Sequence, residues 1–199
     1  MPVSVPEALA VNAGAPGVSL GACRLDVTEL AAYRERSADL IALVRGHGLS
    51  LPSTGGVAST AGALVLSVRP DRWLVLEAPA SAGATAATWR GRCDGRAAVI
   101  DQSSALAAVF LSGPAAREAL ARGCRLELSA DASPPGRAAA TVIAQVSATL
   151  AVLRGGILLL TPATTARHVR EWLETSARAF GVGSPAPLTF STLLGHHDS

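Results

Sequence analysis

The sequence contains no lysine and few aromatic residues. Its 17 basic residues are all arginine, and three Trp, one Tyr and three Phe make up 4% of the 199 residues. Apolar residues nevertheless account for 49% of the chain, so the core must be built from Ala, Leu and Val side chains on closely packed elements. The formal net charge of +2 is close to neutral.

The arginines are dispersed, which argues against a nucleic-acid-binding surface. Arg90, Arg92 and Arg96, called the basic cluster below, come nearest to a concentration of positive charge. They lack the dense stripe and the interleaved aromatic residues typical of such a surface. We interpret the basic cluster as part of a solvated loop, with contact to a partner as the less favoured interpretation.

Cysteine is scarce, and its spacing indicates neither a disulfide framework nor a metal site. Cys23, Cys93 and Cys124 are odd in number, far apart and without Cys-x-x-Cys or Cys/His spacing. We expect buried or incidental thiols, as in a reducing cytosol.

Signals for secretion or membrane insertion are missing. The N-terminus has no basic segment followed by an apolar one. The apolar run 157–160 is the length of a strand and lies between Gly156 and Pro162, whereas a membrane helix needs about 20 residues. We expect a soluble, cytoplasmic protein.

The motifs of cofactor binding and nucleophilic catalysis are missing from the sequence as well. It has no Gly-x-Gly-x-x-Gly fingerprint, no P-loop and no Gly-x-Ser-x-Gly. Gly46 and Gly48 fit the end of a helix. Flavin or nicotinamide binding by this chain alone is therefore not expected.

The four histidines, His47, His168, His196 and His197, are expected at the surface. The pair His196-His197 with Asp198 offers metal-binding atoms, but a chain end cannot preorganise a site. We predict no catalytic, cofactor-binding or metal-binding residue on this chain.

Asp101 is the acid in the most suggestive place, after a short apolar strand and before Gln102-Ser103-Ser104. A carboxylate at a strand end can bind an amine or a pterin ring. The favoured interpretation is a turn in which the carboxylate accepts backbone N–H groups.

The chain divides into an extended N-terminal arm (1–17), an ordered body (18–183) and a C-terminal tail (184–199), the last a loop or a docking arm. A helix is predicted from Thr28 to the Gly46-x-Gly48 stop, followed by a loop over 49–62. The Pro-Asp turn at 69–72 predicts a β-hairpin of 63–68 and 73–76.

The rest of the body alternates between strands and helices. Further helices are predicted at 85–92, at 112–123 with Gly123 as a left-handed cap, and at 161–181. Trp172 or Leu173 occupies the buried stripe of the last helix, and we expect Trp172 to be largely buried. Strands are predicted at 97–100, 107–111, 140–145, 148–154 and 157–160. Hairpins rather than regular crossovers predict an α+β fold with mixed or antiparallel sheets and packed helices.

Several of these segments resemble the sarcosine oxidase gamma subunit family in order and spacing. The resemblance is carried by Arg69-Pro70-Asp71-Arg72-Trp73-Leu74-Val75-Leu76, Asp101-Gln102-Ser103, the run from Leu111-Ser112-Gly113-Pro114 to Leu120, and Gly123-Cys124-Arg125-Leu126-Glu127-Leu128. Trp172-Leu173 and Phe180-Gly181 extend it over about residues 38–181.

The resemblance implies a fold similar to part of the glycine-cleavage aminomethyltransferases and a place in an αβγδ assembly. In that family the alpha subunit binds NAD and tetrahydrofolate, the beta subunit carries FAD, FMN lies between the two, and the delta subunit carries zinc. The assembly oxidises sarcosine or a related N-methyl amine, forms peroxide and delivers the one-carbon unit to tetrahydrofolate. The resemblance implies a gamma chain without cofactors, in contact with the alpha, beta and delta subunits.

Two other functions remain open from the sequence. One is a free-standing folate-binding protein of the aminomethyltransferase-like class. The other is an interaction module unrelated to amine oxidation.

Overall fold

The computed structural model describes residues 17–60, 62–183 and 187–198. In these residues ten strands form two sheets, and five α-helices accompany them. The strands are β1 (Ser19–Cys23), β2 (Asp26–Ala32), β3 (Val57–Thr60), β4 (Ala63–Arg69), β5 (Arg72–Glu77), β6 (Ala97–Asp101), β7 (Leu106–Ser112), β8 (Ala138–Ile143), β9 (Val146–Leu153) and β10 (Gly156–Pro162). The helices are α1 (Ser37–Gly46), α2 (Ala84–Cys93), α3 (Ala116–Ala121), α4 (Ala166–Ala177) and α5 (Phe190–Asp198).

Each sheet has five strands. The first has the order β1-β7-β10-β9-β8 and the second the order β3-β4-β5-β2-β6. All paired strands within the two sheets are antiparallel. The predicted α+β class with antiparallel sheets and packed helices is confirmed.

The two sheets lie face to face, with helices on both outer faces. Side chains of β4, β5, β9 and β10 form the core between the sheets. A second core joins the first sheet to α3 and α4, and a third joins the second sheet to α1 and α2. In β10 the alternation is complete, because Leu158 and Leu160 lie in the core between the sheets while Ile157 and Leu159 face the helices. A strand buried on both faces reads as one apolar run, as this segment does.

Several predicted elements are confirmed. The hairpin at the Pro-Asp turn is β4–β5, the helix at 85–92 is α2, and α1 ends at Gly46. The strands predicted at 97–100 and 107–111 are β6 and β7, and the three C-terminal strands are β8, β9 and β10. No helix in the described part of the chain is long and apolar enough to span a membrane.

The helix predicted from Thr28 is wrong in its first part. Residues 26–32 are the strand β2, which pairs with β5 on one side and β6 on the other, and the helix begins at Ser37. Leu30 and Leu40 are both fully buried, but on different elements. The loop predicted over 49–62 is also partly wrong, because it contains β3.

The helix predicted at 112–123 is shorter, and its end differs from the prediction. α3 covers only Ala116–Ala121. Gly123 is absent from the residues with positive φ among those described. A Cβ at Gly123 would clash with the indole ring of Trp172, so this glycine makes room for the ring.

Of Trp172 and Leu173, the two candidates for the buried stripe of the helix predicted at 161–181, Leu173 is the more deeply buried. Leu173 is 1% exposed and lies in the core beside the first sheet, whereas Trp172 is only partly buried at its edge. Trp172 therefore packs against this core from its margin without being fully enclosed by it.

The tail, predicted as a loop or a docking arm, contains a helix. Residues 190–198 form α5, and Phe190 and Leu193 are buried in the core between the sheets. Ahead of α5, Val182 and Leu188 form parallel bridges with Val18 and Cys23 beside β1. The N-terminal arm, apart from Gly17, lies outside the described residues.

Candidate functional site

The connection from β1 to β2 opens onto a groove of about 640 Å³. Cys23 and Leu160 are among the apolar residues that line it, and Arg24, Asp26 and Ser104 are among the polar ones. Burial raises the pKa of the Cys23 thiol to about 11. The thiolate is the nucleophilic form of cysteine, and burial therefore disfavours that form of Cys23 at neutral pH.

A second polar group, here called the inter-sheet cluster, comprises Glu29, Arg72 and Gln102. Arg72 Nη1 donates to Glu29 Oε1 at 2.7 Å, and Gln102 Nε2 donates to Glu29 Oε2 at 3.0 Å. The cluster borders a groove of about 220 Å³, to which β9 contributes Thr149. Both carboxylate oxygens of Glu29 have internal partners, so the cluster joins β2, β5 and the β6–β7 connection.

A third group of polar side chains lies between the second sheet and α2. Asp26 Oδ2 accepts hydrogen bonds from Thr85 Oγ1 at 2.6 Å and from the N–H of Ala80 at 3.1 Å. Glu77 Oε2 accepts one from Trp89 Nε1 at 2.6 Å. These bonds hold α2 and the segment that precedes it against β2 and β5.

Burial raises the pKa of Glu77, although the Trp89 bond and the charge of Arg92 oppose the shift. The folded-state pKa of Glu77 is then above the ordinary value of 4.5. Between those two values the folded chain binds more protons than the unfolded chain, so the free energy of unfolding falls as pH rises through that interval.

Glu77→Gln is expected to remove this part of the pH dependence, because the amide oxygen still accepts from Trp89 and carries no charge. Urea unfolding of both proteins at a series of pH values from below 4.5 to neutral measures it. The stability of the wild type relative to the variant should fall as pH rises. A difference that stays constant over this range would show that ionisation of Glu77 carries no cost in the folded chain.

Asp101 forms the turn that the sequence favoured. Its Oδ1 accepts from the N–H of Ser103 at 2.9 Å, and the side chain is exposed. Hydrogen bonds from the Ser103 hydroxyl and N–H lower the pKa of Asp101. This carboxylate is occupied by its own turn, which is the interpretation preferred over an amine or pterin site.

The histidines and cysteines do not come together in the described part of the chain. His47 follows α1, and His168 is exposed on α4 with Nε2 at 3.3 Å from the carbonyl oxygen of Ala144. The side chains of His196 and His197 lie outside the described residues. Cys23 and Cys93 are buried free thiols, as predicted, and Cys124 is partly buried. The described residues contain no group of three His, Cys, Asp or Glu side chains that could hold a metal ion.

The basic cluster is not a loop. Arg90 and Arg92 lie in the last turn of α2, and Arg96 follows two residues after the αL residue Asp94. The Arg92 guanidinium stacks on the Trp89 ring at 4.7 Å, and Arg96 pairs with Asp94 at 2.5 Å. Arg90 Nη2 lies 3.4 Å from the carbonyl oxygen of Val99 in β6.

These groups hold elements together and do not pair a nucleophile with a base in the described part of the chain. The sequence did not predict the inter-sheet cluster, because Glu29 lies in the segment predicted as helix. The signal that could have found it is the alternation of Val27, Glu29 and Ala31 toward one face of a strand.

No protein-family model and no curated protein matches the chain. Its structure is similar to a chain of the heterotetrameric sarcosine oxidase from Corynebacterium sp. U-96 in complex with pyrrole 2-carboxylate. That similarity has a TM-score of 0.73 and 24% sequence identity, and it covers 87% of this chain and 90% of the other.

The structure is also similar to the glycine cleavage system aminomethyltransferase T from Bartonella henselae. The TM-score is 0.62 with 18% identity over 84% of this chain, which spans 47% of that protein. Both similarities show the shared fold.

Proposed function

We propose that this chain is the non-catalytic gamma subunit of a heterotetrameric sarcosine oxidase-type flavoenzyme. The observation that carries the proposal is the match over 90% of one chain of such an oxidase, against 47% of the aminomethyltransferase. The ordered segments in the sequence, from the Pro-Asp hairpin to Trp172-Leu173, support the same assignment.

In this proposal the chain contributes structure to an assembly that oxidises sarcosine or a related N-methyl amine. FAD, FMN, NAD, tetrahydrofolate and zinc belong to the alpha, beta and delta subunits, which also supply the chemistry. The chain's own polar groups fit a structural role, because Glu29, Glu77 and Asp26 all accept hydrogen bonds from within the chain. The groove at the β1–β2 connection has buried Cys23 and Leu160 in its wall. The described residues that line it include no glycine, whereas dinucleotide sites hold the pyrophosphate at a glycine-rich turn.

The second candidate is a free-standing folate-binding protein of the aminomethyltransferase-like class. It is favoured by the similarity to the aminomethyltransferase at a TM-score of 0.62. The two candidates differ in whether this chain by itself holds a folate.

The isolated chain is therefore expected to bind neither flavin nor tetrahydrofolate tightly. Isothermal titration calorimetry of the full chain with FAD, FMN and tetrahydrofolate measures this directly. Heats indistinguishable from dilution at ligand concentrations up to about 100 μM are expected, which excludes low-micromolar affinity. A stoichiometric complex with tetrahydrofolate at low micromolar concentration would favour the second candidate instead.

A further inference from the structure

The outer side of β6, an edge strand of the second sheet, pairs with no other segment of the described structure. At the β1 edge, Val182 and Leu188 form β-bridges with Val18 and Cys23. At the β8 edge, Cys124 forms a β-bridge with Ile143. β3 is met by the segment around Arg137 and by α5. β6 pairs with β2 on one side, and no strand or bridge of the described residues meets its other side.

The ladder shows which backbone groups of β6 are directed outward. The N–H of Gln102 donates to the carbonyl oxygen of Val27, and the N–H of Tyr33 donates to that of Arg96. Even-numbered residues from 96 to 102 therefore bond toward β2. The N–H and C=O groups of Ala97, Val99 and Asp101 are directed away from the sheet.

Two exposed apolar side chains lie near this open edge: Ile100 is on β6 itself, and Tyr33 follows the end of β2, opposite Arg96. Tyr33 is 51% exposed and Ile100 is 42% exposed, and these two have the largest exposures among the large apolar side chains described. By strand alternation Ile100 and Tyr33 project on the same face of the sheet margin. An added strand would cover part of this surface as it satisfied the outward backbone groups.

The charge beside the edge is positive and incompletely neutralised. Arg90 forms no salt bridge within the described residues, and its hydrogen bond to the Val99 oxygen is long at 3.4 Å. Asp94 is already paired with Arg96. Hydrogen bonds from Ser103 and, to a smaller extent, the nearby charge of Arg90 lower the pKa of Asp101, but the Asp101 carboxylate accepts from the N–H of Ser103 and forms no salt bridge with Arg90. A carboxylate on an incoming strand would give the Arg90 guanidinium a shorter, charge-assisted partner.

We propose that β6 receives an extended, acidic segment of a partner subunit, which adds a sixth strand to the second sheet. Main-chain hydrogen bonds to Val99 and Asp101 would supply the pairing, and Ile100, Tyr33 and Arg90 would select the segment. This inference rests on the proposed function, because it takes the partner to be another subunit of the assembly. It also gives the basic cluster the partner contact that the sequence left as its less favoured interpretation.

Hydrogen–deuterium exchange of the assembly tests the pairing. The tagged full chain is purified from its source with the subunits that accompany it, and amide exchange in β6 is compared with that of the chain alone. The amides of Val99 and Asp101 should exchange at least about tenfold more slowly in the assembly. The already bonded amide of Gln102 serves as the internal control and should change much less.

Two pairs of variants test the same point without an isolated chain. Val99→Pro removes an outward N–H but no bond to β2, and Val99→Thr retains that N–H. Arg90→Glu reverses the charge at the edge, and Arg154→Glu makes the same change at the exposed β9–β10 turn. Val99→Pro and Arg90→Glu should each reduce the fraction retained in the assembly at least about fivefold, and the controls should not.

The outcomes separate this inference from the proposed function. An assembly that contains the flavoprotein subunits but leaves the Val99 and Asp101 amides unprotected, with all four variants retained, overturns the inference alone. Protection of these amides in a dimer of the isolated chain makes a second copy the occupant and also overturns it. If no flavoprotein subunit accompanies the chain, both proposals fail.

Discussion

Gly156→Ala is expected to destabilise the chain by at least about 3 kcal/mol and to leave little folded protein at 37 °C. A Cβ at Gly156 would overlap sterically with the carbonyl oxygen of Leu111 in β7, and it would lie 2.7 Å from Cζ of Phe110. The oxygen belongs to the central ladder of the first sheet, where Ile157 is the register partner of Leu111. Backbone in that position cannot move without breaking the pairing of β7 with β10.

Gly91→Ala provides the matched control, since the same substitution should have the opposite sign there. Gly91 lies in α2, is exposed, and has no neighbour within 4 Å of an added Cβ. Alanine is favoured over glycine in a helix interior by about 0.8–1 kcal/mol. Urea unfolding should therefore show a less stable Gly156→Ala and a slightly more stable Gly91→Ala. Equal stabilities for wild type and Gly156→Ala would contradict the close approach of β10 to β7.

Leu173→Ala is expected to lower the free energy of unfolding by about 2–5 kcal/mol, through lost burial and the cavity left behind. Leu173 is 1% exposed, in the core shared by α4, α3 and the first sheet. Thermal or urea unfolding of the isolated chain measures the effect.

Thr175→Ala, two residues later on the exposed side of α4, should change stability by no more than about 0.5 kcal/mol. The pair separates the buried face of the helix from its solvent face. A Leu173→Ala protein as stable as Thr175→Ala would mean that α4 packs on the first sheet through another face.

Local chemistry predicted the elements that carry strong turn and cap signals. Pro70 and Asp71 predict the β4–β5 hairpin, because proline presets φ and aspartate tolerates a positive φ at the turn. Asp71 has a φ of 58° in the structure. The apolar run 157–160 was predicted as a strand because four residues suffice for one. These signals act within a few residues, so the sequence alone reveals them.

The elements that were missed depend on contacts between distant residues. Leu30 and Leu40 read as one helical stripe, but Leu30 pairs with Trp73 and Val99 in a sheet that is complete only when β5 and β6 are in place. Phe190 and Leu193 were assigned to a tail because their burial needs the space between two sheets. The sequence around Gly123 is typical of a helix cap, whereas the structure requires glycine there because the ring of Trp172, far along the chain, occupies the space of a Cβ.

The candidate site shows the same division. The Asp101 turn was predictable because the acceptor and the Ser103 N–H are two residues apart. The inter-sheet cluster was not, since Gln102 and Glu29 are separated by 73 residues. The open edge at β6 follows from sheet order, which a single sequence does not specify.

The most direct test of the proposed subunit role is purification of the tagged chain from its source, followed by a flavin absorption spectrum and amine-dependent oxygen uptake. We expect the chain to elute as part of a larger assembly with a flavin spectrum. Sarcosine or a related N-methyl amine should stimulate oxygen uptake, and peroxide should form. A chain that elutes alone, without flavin and without amine-dependent oxygen uptake in its fractions, would contradict the proposed subunit role.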